Sequence, residues 1–116
     1  MDTSVWVEHL RRGEPRLRSL LQSGQVVTHP LVIGELACGR MANRQEILAL
    51  LHALTLATIA THEEVLHLIE QHTLCGKGLG IVDAHLLASC RLQRIPLWTR
   101  DARLEQAAQN LDVAWR

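Results

Sequence analysis

Two carboxylates in this chain stand where a charge is costly. Glu35 is the only charged residue among residues 31–38, and Asp83 is the only one among residues 80–88. Both stretches place apolar side chains on nearly every face of a helix, the pattern of a buried helix. An ionised carboxylate in such a setting must be paired, protonated or bound to a cation. Two further acids mark junctions between elements. Asp2 precedes Thr3-Ser4 and an apolar helix, and Asp101 follows the apolar run at residues 95–99 and opens the last helix. Each has a structural alternative: a salt bridge from Glu35 to Arg40, and helix N-caps at Asp83 and Asp101. As a set they say more. All four fall at strand ends or in first helical turns, where the crevice of a parallel sheet lies. Carboxylates gathered there raise one another's pKa unless a cation compensates them. Oxygen donors without supporting Cys or paired His favour Mg²⁺ or Mn²⁺. The matching chemistry is metal-assisted phosphodiester hydrolysis, in which water attacks phosphorus in line. The other acids (Glu8, Glu14, Glu46, Glu63, Glu64, Glu70, Glu105 and Asp112) sit among polar or loop residues and read as solvated surface.

The elements that must position these acids are short. Helical spacing of apolar residues appears at 5–10, 17–21, 31–41, 44–54, 81–92 and 102–110. Another helix begins after Thr61, an N-cap with Glu63 and Glu64 in the dipole-favoured first turn. Pro15 and Pro30 suit helix starts. Short β-branched or apolar runs at 25–28, 56–60, 95–99 and 113–115 read as strands. Strands separated by helices pair in parallel through right-handed crossovers, which gives an α/β class and a three-layer α/β/α sandwich around a short-stranded parallel sheet.

Composition narrows the function. The 116 residues suit one domain, residues 1–116, and 47% hydrophobic content suffices for a core. Lys+Arg and Asp+Glu both number 12, so bulk positive charge does not drive any nucleic-acid binding. The three cysteines, Cys38, Cys75 and Cys90, form no CxxC pair and read as buried free thiols in a reducing compartment. No basic-then-apolar leader opens the sequence and no apolar run is long enough to span a membrane, so a cytoplasmic protein without membrane contact is expected. His62, His67 and His72 recur every five residues, about 140° apart around a helix, and share no face for a metal. The segment Gly76-Lys77-Gly78-Leu79-Gly80 lacks Walker spacing and reads as a flexible loop, with Lys77 within reach of a phosphate.

Four segments carry a family resemblance. Asp2-Thr3-Ser4-Val5-Trp6, Gly34-Glu35-Leu36, Val82-Asp83-Ala84-His85-Leu86-Leu87-Ala88 and Leu97-Trp98-Thr99-Arg100-Asp101 resemble, in order and spacing, the signature segments of PIN domains. More narrowly they resemble the VapC-type ribonuclease toxins of toxin–antitoxin pairs. The resemblance implies an endoribonuclease whose Asp2, Glu35, Asp83 and Asp101 form an acidic pocket for Mg²⁺ or Mn²⁺. It implies that Asp2 and Asp83 are direct ligands, that Glu35 and Asp101 complete the pocket, and that Thr3, Ser4 and Thr99 are auxiliary polar residues. It further implies an RNA substrate, 5′-phosphate and 3′-hydroxyl products, a VapB-type antitoxin partner and a homodimer. Part of the surface from Trp6, Leu10, Leu17, Leu20, Leu21, Leu36 and Met41 is expected to form the antitoxin groove. In one respect the sequence departs from the family. Only Met1 precedes Asp2, so the first strand is expected to be truncated. The rival readings are a catalytically inactive PIN-like module that binds RNA or a partner, and a related nuclease acting on DNA or flaps.

Overall fold

A computed structural model describes residues 1–115. Seven helices and two short strands follow one another: α1 (Thr3–Arg12), α2 (Pro15–Gln22), β1 (Val27–Thr28), α3 (Pro30–Cys38), α4 (Arg44–His52), β2 (Thr55–Leu56), α5 (His62–Gln71), α6 (Ile81–Gln93) and α7 (Ala102–Asn110). The helix starts follow local rules. Asp2, Glu14, Thr61 and Asp101 each accept a backbone N–H of the first turn, and Thr61 with Glu64 closes a reciprocal capping box.

The sheet is parallel as expected but smaller. β1 pairs with β2 in the register Val27 to Thr55 and Thr28 to Leu56, with α3 and α4 in the crossover. The expected strand at 56–60 is corrected to Thr55–Leu56. Ala57 N–H still donates to Thr28 O at 2.7 Å, but β1 then ends at His29-Pro30 and offers no further ladder. Thr58 N–H turns instead to Gln93 Oε1 at 2.9 Å. The strands expected at 95–99 and 113–115 reduce to one parallel bridge, Leu97 to Ala114. Stacked Trp98 and Trp115, with ring centroids 4.3 Å apart, brace that bridge beneath the Arg16 guanidinium of α2. Among the described residues no strand stands before α1. Asp2 N–H donates to Trp98 O at 2.9 Å, and Met1 lines a cavity of about 210 Å³ between the two pieces of sheet.

The core gathers around α6. Ala84 and residues 86–90 are all buried, so the middle of this helix is enclosed, while its first turn and residues 91–93 are more open. Leu17, Val32, Val65, Leu97 and Leu104 pack into the same core. By contrast α3 is less enclosed than its composition implies, since Gly34, Glu35 and Cys38 are exposed. Cys75 is exposed too, which leaves Cys90 as the buried thiol.

His29 ties this core together. It is buried, its Nδ1 accepts the Leu31 N–H at 3.0 Å as N-cap of α3, and Nε2 therefore donates to Ser89 Oγ of α6 at 3.1 Å. Burial, followed by the nearby His85 and the terminal ammonium, pushes its pKa below the usual histidine value. A histidine depressed in this way contributes stability that is full above its unfolded pKa of about 6.5 and lost as pH falls towards the folded value. Acidification from pH 7 to pH 5 should therefore lower the Tm. His29→Asn keeps an N-cap acceptor but loses the ring and the Ser89 bond, which should cost about 2 kcal/mol at pH 7. Thermal melts of both proteins across this range check it: the acid-dependent loss should shrink in the variant.

Candidate active site

Asp2 reaches the crevice by a route that joins the two ends of the chain. It is 6% exposed, and its Oδ2 accepts hydrogen bonds from Ser4 Oγ at 2.6 Å and Thr99 Oγ1 at 2.7 Å, with Ser4 N–H at 3.4 Å. Each hydroxyl, having donated to Asp2, accepts a backbone N–H from the far loop. Ser4 Oγ takes Arg100 N–H at 2.9 Å and Thr99 Oγ1 takes Asp101 N–H at 3.0 Å. The loop that carries Asp101 is thus laced to the first helical turn.

The other three acids are each held by one oxygen. Glu35 Oε1 accepts the Thr3 hydroxyl at 2.5 Å, not Arg40. Asp83 Oδ2 accepts the Gly80 N–H at 3.0 Å, and Asp101 Oδ1 accepts Arg103 N–H at 2.9 Å and Leu104 N–H at 3.3 Å. Capping therefore fixes the orientation of Asp83 and Asp101 without using up either carboxylate. Among the described residues no donor reaches Asp2 Oδ1, Glu35 Oε2, Asp83 Oδ1 or Asp101 Oδ2. One oxygen of every acid remains available.

The four acids sense one another. Burial raises the Asp83 pKa above the ordinary carboxylate range, the Gly80 N–H works against that, and the negative charges of Asp2, Asp101 and Glu35 push it up again. Yet among the described residues no three His, Cys, Asp or Glu side chains are close enough to form a ready cage for a cation. A hard ion such as Mg²⁺ takes only one or two carboxylates directly and keeps several waters. The donor set is all oxygen. Thr3, Ser4 and Thr99 are the residues that orient it.

Some participants carry no local sequence signal. Glu14, read as solvated surface, caps α2 through Oε1 and forms an ion pair with Arg100 at the rim, its side chain only 13% exposed. A separation of 86 residues hides that pair from any local reading. Of the residues expected to form an apolar groove, Leu10, Leu36 and Met41 line one, whereas Trp6 and Leu17 go into the core. Trp6, Leu17 and Leu36 are buried, whereas Val7 and Leu10 are exposed. A groove of about 370 Å³ beside Glu35 is lined by Val7, Leu10, Met41 and Ile47, with Arg11 and Arg40 at its margin.

A small parallel sheet flanked by helices, with Asp2, Glu35 and Asp101 near enough to Asp83 for their charges to act on it, fits a PIN domain. The chain belongs to the PIN domain family, which it matches over residues 1–110. Among curated proteins it is 48% identical over 115 residues to Ribonuclease VapC32 from two strains of Mycobacterium tuberculosis, covering 98% of this chain and 93% of the relative. No solved structure matches it.

Two substitutions separate repulsion from support. An acid whose folded pKa lies above its unfolded value adds stability only as pH falls through the folded value, so ionised Asp83 is a cost at neutral pH. Asp83→Asn keeps an acceptor for Gly80 N–H and removes that cost, and its denaturant midpoint in metal-free buffer at pH 7 should equal or exceed that of wild type. A midpoint well below wild type would mean that Asp83 forms a structural ion pair. Thr99→Val, nearly isosteric, strips Asp2 of a donor and Asp101 N–H of an acceptor, and should cost about 2 kcal/mol by chemical denaturation.

Proposed function

We propose that this chain is a metal-dependent endoribonuclease, the toxin of a VapBC-type pair, with residues 1–116 acting as one PIN domain. The observation that carries the reading is the set of four carboxylates, each oriented by one oxygen and open at the other. Family membership and the likeness to Ribonuclease VapC32 favour RNA as the substrate over DNA. The retention of all four acids favours an enzyme over an inactive binding module.

Asp2 and Asp83 would hold the cation directly, and Glu35 and Asp101 would complete the pocket through the metal or metal-bound water. Mg²⁺ or Mn²⁺, when bound, neutralises the phosphodiester and makes water a competent nucleophile at neutral pH. The chain's own residues do the positioning. Ser4 and Thr99 aim Asp2, Thr3 holds Glu35 at the rim, and the Gly80 and Arg103 N–H groups fix the planes of Asp83 and Asp101. Burial and the neighbouring negative charges raise the Asp83 pKa, so cation affinity at that carboxylate weakens as pH falls. The expected products are a 5′-phosphate and a 3′-hydroxyl.

The groove beside Glu35 suits a VapB-type antitoxin segment. Exposed Val7 and Leu10 supply an apolar strip, and the groove opens onto the acidic crevice. An antitoxin arginine entering there would compete with the cation for the free carboxylate oxygens. A homodimer is part of the same reading. No helix among the described residues is long and apolar enough to cross a membrane, and a cytoplasmic enzyme is proposed.

Purified protein incubated with RNA should cleave it in Mg²⁺ or Mn²⁺ and stop in EDTA. Asp83→Asn should cleave at least about a hundredfold more slowly while remaining folded. Undiminished cleavage in excess chelator would overturn the mechanism.

A further inference from the structure

The glycine-rich loop and α7 form a second feature beside the acidic crevice. Gly78 has a positive φ of 74°, and a Cβ there would lie 2.7 Å from Arg103 Nη1 and 2.8 Å from Arg103 Cδ. The absent side chain is what lets Arg103 lie across the loop. Between the two elements runs a groove of about 440 Å³ lined by Lys77, Arg103, Gln106 and Asn110. Lys77 is the only lysine in the sequence, and among the described residues neither it nor Arg103 has a carboxylate within ion-pairing distance. Arg100, nearer the crevice, is already neutralised by Glu14. Gln106 Nε2 donates to Asn110 Oδ1 at 3.1 Å, which leaves an acceptor on Gln106 and a donor on Asn110.

Both walls of this groove continue into the acids. The loop ends at Gly80, whose N–H holds Asp83, and α7 begins at Asp101, which takes the Arg103 N–H. A strand leaving the crevice on this side meets two unpaired cations and then a complementary pair of amide groups. We infer that the groove between residues 76–80 and α7 is the subsite for the RNA strand flanking the scissile bond, with Lys77 and Arg103 on phosphate and Gln106 and Asn110 on a base edge. This rests on the ribonuclease reading and adds to it a determinant of which RNA is cut. Phosphate contacts position a strand and amide contacts specify it.

The test compares wild type, the double variant Lys77→Ala/Arg103→Gln, Gln106→Ala, and Arg91→Ala as a charge control. Arg91 lies eight residues beyond Asp83 on α6, about 12 Å along the axis. Cleavage and fluorescence anisotropy are measured on single-stranded RNA in Mg²⁺ at several salt concentrations. The double variant should raise KM about tenfold, hold kcat within about twofold, and lower the slope of log affinity against log salt by about 1.4, or about 0.7 per lost phosphate contact. Gln106→Ala should change the nucleotide preference at one position beside the cut, and Arg91→Ala should match wild type. Wild type that cleaves RNA, with a double variant indistinguishable from Arg91→Ala, overturns the subsite alone. A loss confined to kcat overturns it too. Wild type that neither binds nor cleaves RNA overturns the ribonuclease reading and the subsite together.

Discussion

The Asp2 carboxylate, nearly buried and gripped by the hydroxyls of Ser4 and Thr99, is the constraint around which the site is built. Those bonds close a loop of almost the whole chain, since Thr99 stands 97 residues from Asp2. A buried carboxylate is tolerable only when its lone pairs are met, and an acid met on one oxygen alone keeps the other for a ligand. The same hydroxyls then accept the N–H groups of Arg100 and Asp101, so the oxygens that orient the first acid also place the fourth.

Helix capping does double duty in this architecture. Asp83 and Asp101 each satisfy orphan N–H groups at a helix start, which is an ordinary stabilising role, and each keeps a second oxygen without a hydrogen-bond donor among the described residues. α6 is enclosed by core side chains almost to its first turn, so Asp83 has little freedom to turn away from its acidic neighbours. The resulting repulsion is stored in the folded chain at Asp83.

The surroundings divide by chemistry. On the α1 and α3 side an apolar strip lies against Glu35, suited to a protein segment; on the α7 side unpaired cations and amides border Asp101, suited to a polyanion. The Glu14–Arg100 pair sits at the rim and withdraws one arginine from that second role. Zero net charge is therefore no obstacle to holding RNA, because what matters is where the uncompensated cations stand.

Local pattern alone determined a good deal of this protein. Helical spacing and caps placed α7 at its observed bounds and α6 to within a residue of its end, and Thr61 was legible as a cap from its own side chain and Glu64 three residues on. The four acids stood out because a lone carboxylate in apolar company is a local anomaly. The sheet was less legible. Strand length depends on whether a partner ladder exists, and the run at 56–60 lost its ladder because Pro30 ends β1 on a different part of the chain. The burial of α3 was overestimated, since composition cannot say which face meets solvent. Glu35 pairs with Thr3 and not with Arg40, the structural alternative, and Glu14 found Arg100, because hydrogen-bond partners are chosen by distance in space. Which oxygen of each acid is held and which is left open was decided only by the tertiary structure, where residues 2, 4 and 99 first come within reach of one another.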